Sequence, residues 1–320
     1  MSMHKKIDPA LKTNNDTGFG NADNYGGRFI NKDGSLNLLR EGSSILNRFS
    51  IYQRMLSLPR WKFMGVIVLF FLIMNFLFTI LYTLVGATQL VGMDAHDHWT
   101  TFKEMFYFSM QTFTTVGYGH ISPEGDGANL VAGAEAMTGF LSFAIATGLI
   151  YGRFARPQCH LAFSNHALIG PHKEGSALMF RFATSKDNHI LTNVEIRVTI
   201  ALKVIEEGGE GMYQFYDLEL ERNKVDMLPM NWTVVHEIND KSPLAGYEEK
   251  DITAADVELY VLVTGFDDVY SSQVLKRTSY TYKEFKYNVK FVPMYRESPD
   301  GKTTIMEMHK LNDVAEKKRK

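Results

Sequence analysis

The chain holds 320 residues with a formal net charge of −2 and a mean hydropathy of −0.15. Near-neutrality argues against a general nucleic-acid-binding surface, and a single cysteine, Cys159, excludes an intrachain disulfide. Hydropathy this low means that any membrane part is accompanied by a large water-facing one.

Residues 1–44 are rich in Asn, Asp, Gly, Lys and Ser, a composition that predicts a mobile tail. From Ile45 the pattern changes. Ile45, Leu46, Phe49, Tyr52 and Leu56 fall at helical spacing, with Arg48, Gln53 and Arg54 elsewhere round the turn. Pro59 ends this segment, because the residue before a proline disfavours helix, and an interfacial amphipathic helix is expected over 45–59. The run Phe63–Val85 then gives 23 residues without a charge. At about 1.5 Å per residue it crosses a hydrocarbon core of about 30 Å. It is too long and too far into the chain for a cleavable leader, so no signal peptide is expected. Asn75 is expected to face another helix, and Trp61 and Tyr82 to sit near the two ends as interfacial aromatics.

The loop from Gly86 to Thr100 carries Asp94, His96, Asp97 and His98, read as solvated residues. Thr101-x-x-Glu104 reads as a capping box opening a short apolar helix, Phe102 to Phe113, too short to span. Its C-terminal end, where partial negative charge favours a cation, points at Thr114-Thr115-Val116-Gly117-Tyr118-Gly119. Irregular backbone survives at membrane depth only where it lines a cavity or is buried in protein. Gly117 and Gly119 readily adopt positive φ, which lets consecutive carbonyls turn toward one axis, and Thr115 adds a hydroxyl at the inner entrance.

Ala128–Tyr151 is the second predicted span, and Glu135 is its only charge. An acid there is a functional candidate, and its expected role is to hydrogen-bond the back of the Thr114–Gly119 loop or the short helix. Gly139 and Gly148 suit either a bend or close packing. Met137, Phe140, Phe143, Ile150 and Tyr151 read as core, with Tyr151 a candidate hydrophobic gate. Arg48, Arg54, Arg60 and Lys62 precede the first span and Arg153 and Arg156 follow the second, whereas Lys103 alone lies between. Both ends are therefore expected on the cytoplasmic side of the plasma (inner) membrane.

After Pro157 the composition becomes that of a β domain over 158–308. Strands are predicted at Ala167–Gly170, Gly175–Phe182, Asn193–Leu202, Met212–Leu220, Asn231–Ile238, Val257–Thr264 and Lys286–Pro293, a spacing that suggests a sandwich. Residues 309–320 read as a solvated basic tail. His160, His166, His172 and His189 read as surface or structural, and no nucleophile–base pair or metal set points to an enzyme.

Taken together, the chain resembles the inward-rectifier potassium channels, most closely their bacterial branch, over roughly Ile45 to Met308. The residues that carry the resemblance are the filter Thr114–Gly119, the exit Tyr151-Gly152-Arg153-Phe154-Ala155-Arg156-Pro157, the stretch Trp232-Thr233-Val234-Val235-His236-Glu237-Ile238 and the following Ser242-Pro243-Leu244. The resemblance implies two transmembrane helices with a re-entrant pore helix and filter over 60–157, then a cytoplasmic immunoglobulin-like β-sandwich, assembled as a homotetramer of identical subunits. It implies K+ held by the carbonyls of Thr115, Val116, Gly117, Tyr118 and Gly119, no other cofactor, an interfacial slide helix, and voltage-gated channel activity. Gln111 replaces a glutamate behind the filter, for which Glu135 is expected to compensate. Thr264–Asp268 matches a loop at the membrane-side apex, making Gly265, Phe266 and Asp267 part of a cytoplasmic constriction. Glu210 matches an acidic position that attracts polyamine or Mg2+ blockers in relatives. Phe143 stands where strongly rectifying members carry an acid, so weak rectification is expected. Arg60, Lys62, Arg153 and Arg156 match part of a site for anionic phospholipid.

Overall fold

In a computed structural model the described residues are 13–14, 28–39, 41–42, 50–94, 97–187, 189–205 and 211–316. They divide into two compact units, Glu41–Arg156 and the remainder. In the first unit, helix α1 (Ile51–Ser57) opens on Ser50, whose hydroxyl accepts from the Gln53 amide at 3.3 Å. Leu58 turns extended ahead of Pro59. Ile45, Leu46, Arg48 and Phe49, assigned to the same amphipathic helix, lie outside the described residues. Helices α2 (Arg60–Val85) and α4 (Asp126–Phe154) are long and apolar enough to cross a membrane. Between them, strand β1 (Leu90–Val91) pairs with β2 (Ser122–Pro123), bracketing helix α3 (His98–Phe113) and the loop that follows it.

Two local expectations need correction here. Helix α3 begins at His98 rather than Phe102, because Asp97 is the cap and its carboxylate accepts from the Thr100 amide. Glu104 instead accepts from the Asp94 amide at 3.1 Å. Tyr82 is not an interfacial aromatic: it is 1% exposed and packs with Phe78, Met105 and Phe108.

The second unit is an immunoglobulin-like sandwich of two five-stranded sheets. In chain order its strands are β3 (Leu161–Phe163), β4 (Ala167–His172), β5 (Gly175–Thr184), β6 (Leu191–Ile205), β7 (Gly211–Asp217), β8 (Lys224–Leu228), β9 (Trp232–Ile238), β10 (Glu258–Asp267), β11 (Ser272–Thr281) and β12 (Phe285–Tyr287). One sheet runs β11-β10-β6-β7 with β8 on β6; the other runs β12-β4-β5-β3 with β9 on β5. Leu178, Phe180 and Phe182 of β5 meet Ile196, Val198, Ile200, Val261 and Val263 across the core. Strand β11 was not among the predicted strands, yet it pairs with β10 over its whole length. Its buried Thr278 and Ser279 break the usual alternation because residues 28–39 cover them.

For residues 28–39 that cover corrects the expectation of a mobile tail. Phe29 and Ile30 are buried against Ala201, Phe215 and Tyr260. The hydroxyls of Thr278 and Ser279 donate to the carbonyls of Lys32 and Ile30, and Arg28 pairs with Glu284 at 2.6 Å. The solvated C-terminal tail is likewise corrected over residues 309–316. Strand β13 (Val289–Phe291) pairs with Val314–Glu316, and a 3-10 turn at Met308–Asn312 buries Leu311. These segments cover the outer face of β5, where Arg181 is 1% exposed. Its guanidinium donates to the carbonyls of Leu311 at 2.8 Å, Val292 at 2.6 Å, Asp313 and Lys310, and lies over the Phe291 ring. A buried charge is tolerable when hydrogen bonds replace its water.

Glu258 lies beneath the N-terminal cover, 7% exposed. Burial pushes its carboxyl up to about 7, against the hydrogen bond from Tyr260, the charge of Arg28 and the Phe29 amide. Its folded pKa is raised, so the associated stability is fully present below the unfolded value of 4.5 and is lost as pH rises through about 7. The loss amounts to about 3 kcal/mol. Glu258→Gln in the full chain should therefore raise the thermal midpoint at pH 8 much more than at pH 5. An equal effect at both values would show that the carboxyl ionises normally in the folded protein.

Candidate ion-conduction site

Helix α3 delivers its last turn to Thr114, and the chain then reverses direction. The Thr115 amide bonds the Thr112 carbonyl at 3.0 Å, while the amides of Val116 and Gly117 both bond the carbonyl of Gln111, at 2.9 and 3.2 Å. With these donors turned back into the helix, the loop's own carbonyls are left to face away. Thr115, Gly117 and Gly119 have φ of 58°, 55° and 79°, alternating with residues in the ordinary region. That alternation rotates every second peptide so that successive carbonyls share one side. Positive φ at a threonine is strained, and strain of this kind gathers at functional sites. The surroundings of the loop are open: Val116 is 54% and Tyr118 78% exposed within one chain.

Behind the loop sits a buried polar cluster. Glu135 of α4 is fully buried; it accepts from Tyr82 of α2 at 2.6 Å and from Ser109 of α3 at 2.5 Å. Ser109 also lies 3.2 Å from the side-chain and backbone oxygens of Asn75. One carboxyl thus joins all three helices. The sequence singles out Glu135 and Asn75, suggests an interfacial role for Tyr82 and gives no sign of Ser109. The available signal was chemical, since an acid inside a span requires hydroxyl or amide donors close by. Gln111 contributes through its backbone carbonyl.

Gly139 resolves one of the open alternatives. A Cβ there would lie 1.9 Å from the Phe113 carbonyl, whereas one at Gly148 would meet nothing within 4 Å. Gly139 is therefore a packing glycine, and it pins α4 to the end of α3. Of the inner-helix residues read as core, Met137, Phe140, Phe143 and Tyr151 are exposed within the single chain and Ile150 is half-buried. A helix with few neighbours inside its own chain carries its apolar side chains on outward faces.

The basic residues fall at one end of this unit. Arg60 and Lys62 are exposed at the start of α2, and Arg156 is exposed just beyond α4. Arg153 packs its guanidinium over the Phe63 ring, 5.0 Å from the centroid, which brings the two helix ends together. Its Nη1 is buried without a hydrogen-bond partner.

In the β domain, Thr264–Asp267 is the last part of a strand rather than a loop: β10 continues to Asp267, with a bulge between Thr264 and Phe266, and the turn into β11 follows. Gly265 is buried and Phe266 is 40% exposed. Asp267 cannot line a passage with its side chain, because it is fully buried. Burial opposes its charge, yet hydrogen bonds from His189 and from the Tyr270 and Val269 amides hold its carboxyl below the usual range. Glu210 lies outside the described residues.

Comparison with known proteins meets this geometry at both ends. A profile of the inward rectifier potassium channel C-terminal domain matches residues 161–319, and an ion-channel profile matches residues 65–156. The chain belongs to the inward-rectifier potassium channel family. It is 29% identical to inward rectifier potassium channel Kirbac3.1 of Paramagnetospirillum magnetotacticum, over 90% of this chain and 96% of that one. It is 26% identical to human inward rectifier potassium channel 4 and 27% identical to bovine ATP-sensitive inward rectifier potassium channel 12. Those matches cover 72% and 80% of this chain, and it spans 54% and 64% of the two mammalian relatives. Membership makes the chain a membrane ion channel of potassium type and not an enzyme. Voltage-gated channel activity does not follow from membership, and α2 and α4 carry no ladder of basic residues through their middles to act as gating charge.

The contact at Gly139 gives a direct test of this packing. Gly139→Ala should cost about 1–3 kcal/mol or more through overpacking and broaden or lower the thermal transition of the purified channel. Gly148→Ala should leave that transition nearly unchanged. Equal tolerance of both alanines would mean that α3 and α4 are further apart than described.

Proposed function

We propose that four copies of this chain surround one axis and form a pore that conducts potassium passively and selectively. The observation that carries this reading is the filter backbone. Its amides return to Gln111 while alternating φ angles aim the carbonyls of residues 115–119 one way. Carbonyl rings can replace the hydration shell of K+. One loop supplies only one side of such a ring. The exposure of Val116 and Tyr118, and the empty space around Gly117 and Gly119, fit a loop whose neighbours come from other subunits. Glu135 supports the filter by tying α3 to α2 and α4.

Control is proposed to come from the cytoplasmic side, with both termini there. Phe143 places an apolar ring in the inner cavity, which offers no attraction to a polyamine or Mg2+, so rectification is weak. Glu210 is the remaining acidic position proposed to draw such blockers. Tyr151 acts as a hydrophobic gate near the end of α4, below the open Gly148. Phe266 forms a second constriction, shaped by the Gly265 bulge and anchored from behind by Asp267.

Arg60, Lys62, Arg153 and Arg156 form the proposed anionic-lipid site. The buried unpaired nitrogen of Arg153 supports it, since a phosphate oxygen would satisfy that donor. The resemblance to bacterial relatives favours closure by phosphoinositide.

Liposome flux tests the conduction reading. Tetramers should pass potassium over sodium, with block by barium and only shallow block by internal spermine. Well-folded tetramers that carry no flux across a range of lipids and pH would overturn it. For the lipid site, each basic residue contributes about 1 kcal/mol near an anionic leaflet. Neutralising Arg153 and Arg156 together should shift the phosphoinositide dose response by roughly thirtyfold. An unshifted response would place the lipid elsewhere.

A further inference from the structure

The hairpin that joins β4 to β5 carries ligating side chains with no part in conduction. His172 closes β4 opposite Gly175, and Ala177, two residues further along β5, pairs with Glu237 of β9. Directly opposed residues on neighbouring strands, and alternate residues along one strand, point to the same face of a sheet. His172, Gly175, Ala177 and Glu237 therefore share a face. Between the histidine and the glutamate stand only a hydrogen and a methyl group, so both long side chains lean across β5 without obstruction. Glu221 joins them from the segment between β7 and β8, tied to β9 by its amide, which donates to the Val235 carbonyl at 2.9 Å. One ligating atom from each of His172, Glu221 and Glu237 lies within 4.8 Å of the other two.

The charges of this cluster are balanced everywhere but at one atom. The Lys173 ammonium lies 2.6 Å from Glu237 Oε1 and 3.1 Å from Glu221 Oε1. Its hydrogen bond holds the Glu221 carboxyl below the usual range, so that carboxyl is ionised at neutral pH. His172 Nε2 is different. It is buried and makes no hydrogen bond, although Glu221 Oε2 lies 3.2 Å away and Glu237 Oε1 4.0 Å. An imidazole nitrogen turned toward two carboxylates without donating to either sets a lone pair against negative charge, and the arrangement is favourable only with a positive centre between them. Two ligands at about 2.1 Å from a tetrahedral ion lie about 3.4 Å apart. The gap between His172 Nε2 and Glu221 Oε2 already suits a shared ion, and a side-chain rotation brings Glu237 to it.

We propose that His172, Glu221 and Glu237 form a binding site for a divalent transition-metal ion of the zinc class, with water completing its coordination and Lys173 displaced from the carboxylates when the ion enters. The donor set decides the class. One imidazole nitrogen with two carboxylates suits a borderline ion, whereas Ca2+ and Mg2+ favour oxygen ligands alone. Lys173 is a built-in competitor, because its ammonium holds the oxygens that the metal needs. A bound ion staples the β4–β5 hairpin to β9 and to the segment before β8. The ligands come from three separate parts of the chain, so no short spacing motif marks them in the sequence. The site lies wholly within the β domain and does not depend on conduction.

The test is calorimetric titration of the full-length channel, free of any histidine tag, with Zn2+ alone, and the thermal midpoint serves as a second readout. Zinc should bind the parent and raise its midpoint. His172→Asn and Glu237→Gln should each weaken that binding at least tenfold, and Lys173→Gln should strengthen it severalfold. The metal-free midpoints of the three variants report whether each keeps its fold; should His172→Asn lose it, the gain from Lys173→Gln and the loss from Glu237→Gln decide. Zinc affinity unchanged in folded His172→Asn and Glu237→Gln would assign the ion to other histidines and overturn the proposal. Lys173→Gln that fails to strengthen binding would overturn it too, since the carboxylates would then not be ligands. A parent that binds no zinc would also overturn it, as expected if a proton on His172 fills the gap between the imidazole and the two acids.

Discussion

The carbonyl of Gln111 accepts two amides, from Val116 and Gly117, and the conduction site depends on that shared acceptor. A short loop in a low-dielectric region must satisfy its donors or pay a heavy desolvation cost. By sending the donors backward into the last turn of α3, the fold leaves only acceptors on the opposite side. The left-handed backbone at Thr115 is the local strain that this reversal requires, and α3 has to be held firmly for the strain to persist. Two features hold it. Glu135 gathers Tyr82 and Ser109 behind the helix, and Gly139 lets α4 approach the Phe113 carbonyl more closely than any side chain would allow.

The membrane elements were readable because their signals are local and long. An uncharged run such as Phe63–Val85 fixes a span by composition alone, and the order of residues from Thr114 to Gly119 is distinctive without a partner. What escaped sequence reading depends on residues far away in the chain. Tyr82 looks like an interfacial aromatic until Glu135 is placed beside its hydroxyl. Thr101 and Glu104 have the spacing of a capping box, but Asp97 is already positioned to cap one turn earlier, and the distinction lies in loop geometry. Strand β11 was missed because Thr278 and Ser279 are polar, and polar residues are buried there only because Ile30 and Lys32 supply carbonyl acceptors about 250 residues earlier in the chain.

The same reason explains both ends of the chain. Segments rich in small polar and basic residues carry too little apolar surface to fold alone. Attached to an existing sandwich they need much less. Phe29 and Ile30 suffice at the N-terminal side, and Leu311 with Val314 at the other. Arg181 then turns a hydrophobic contact into a specified one. Its fork of donors satisfies carbonyls from Val292 and from the segment 310–313 at once, so those two segments have one register relative to β5. The basic character of the C-terminus says nothing of this, because the partners are backbone groups.

The inner helix shows why the filter and its control are separable in physical terms. Above, α4 is fastened at Glu135 and Gly139, where displacement would disturb the carboxyl cluster and press on the Phe113 carbonyl. Below, Gly148 meets nothing inside its own chain, and Phe143 and Tyr151 project from exposed faces. A bend in α4 is therefore cheapest near Gly148, where a Cβ would meet nothing and a glycine already lowers the stiffness of the backbone. In the proposed tetramer, movement there would change the spacing of the Tyr151 side chains without altering the amides bound to Gln111. The hydrogen bonds that shape the loop are then the same whether the lower helix is straight or bent, which is what the proposed pore with a separate gate would require.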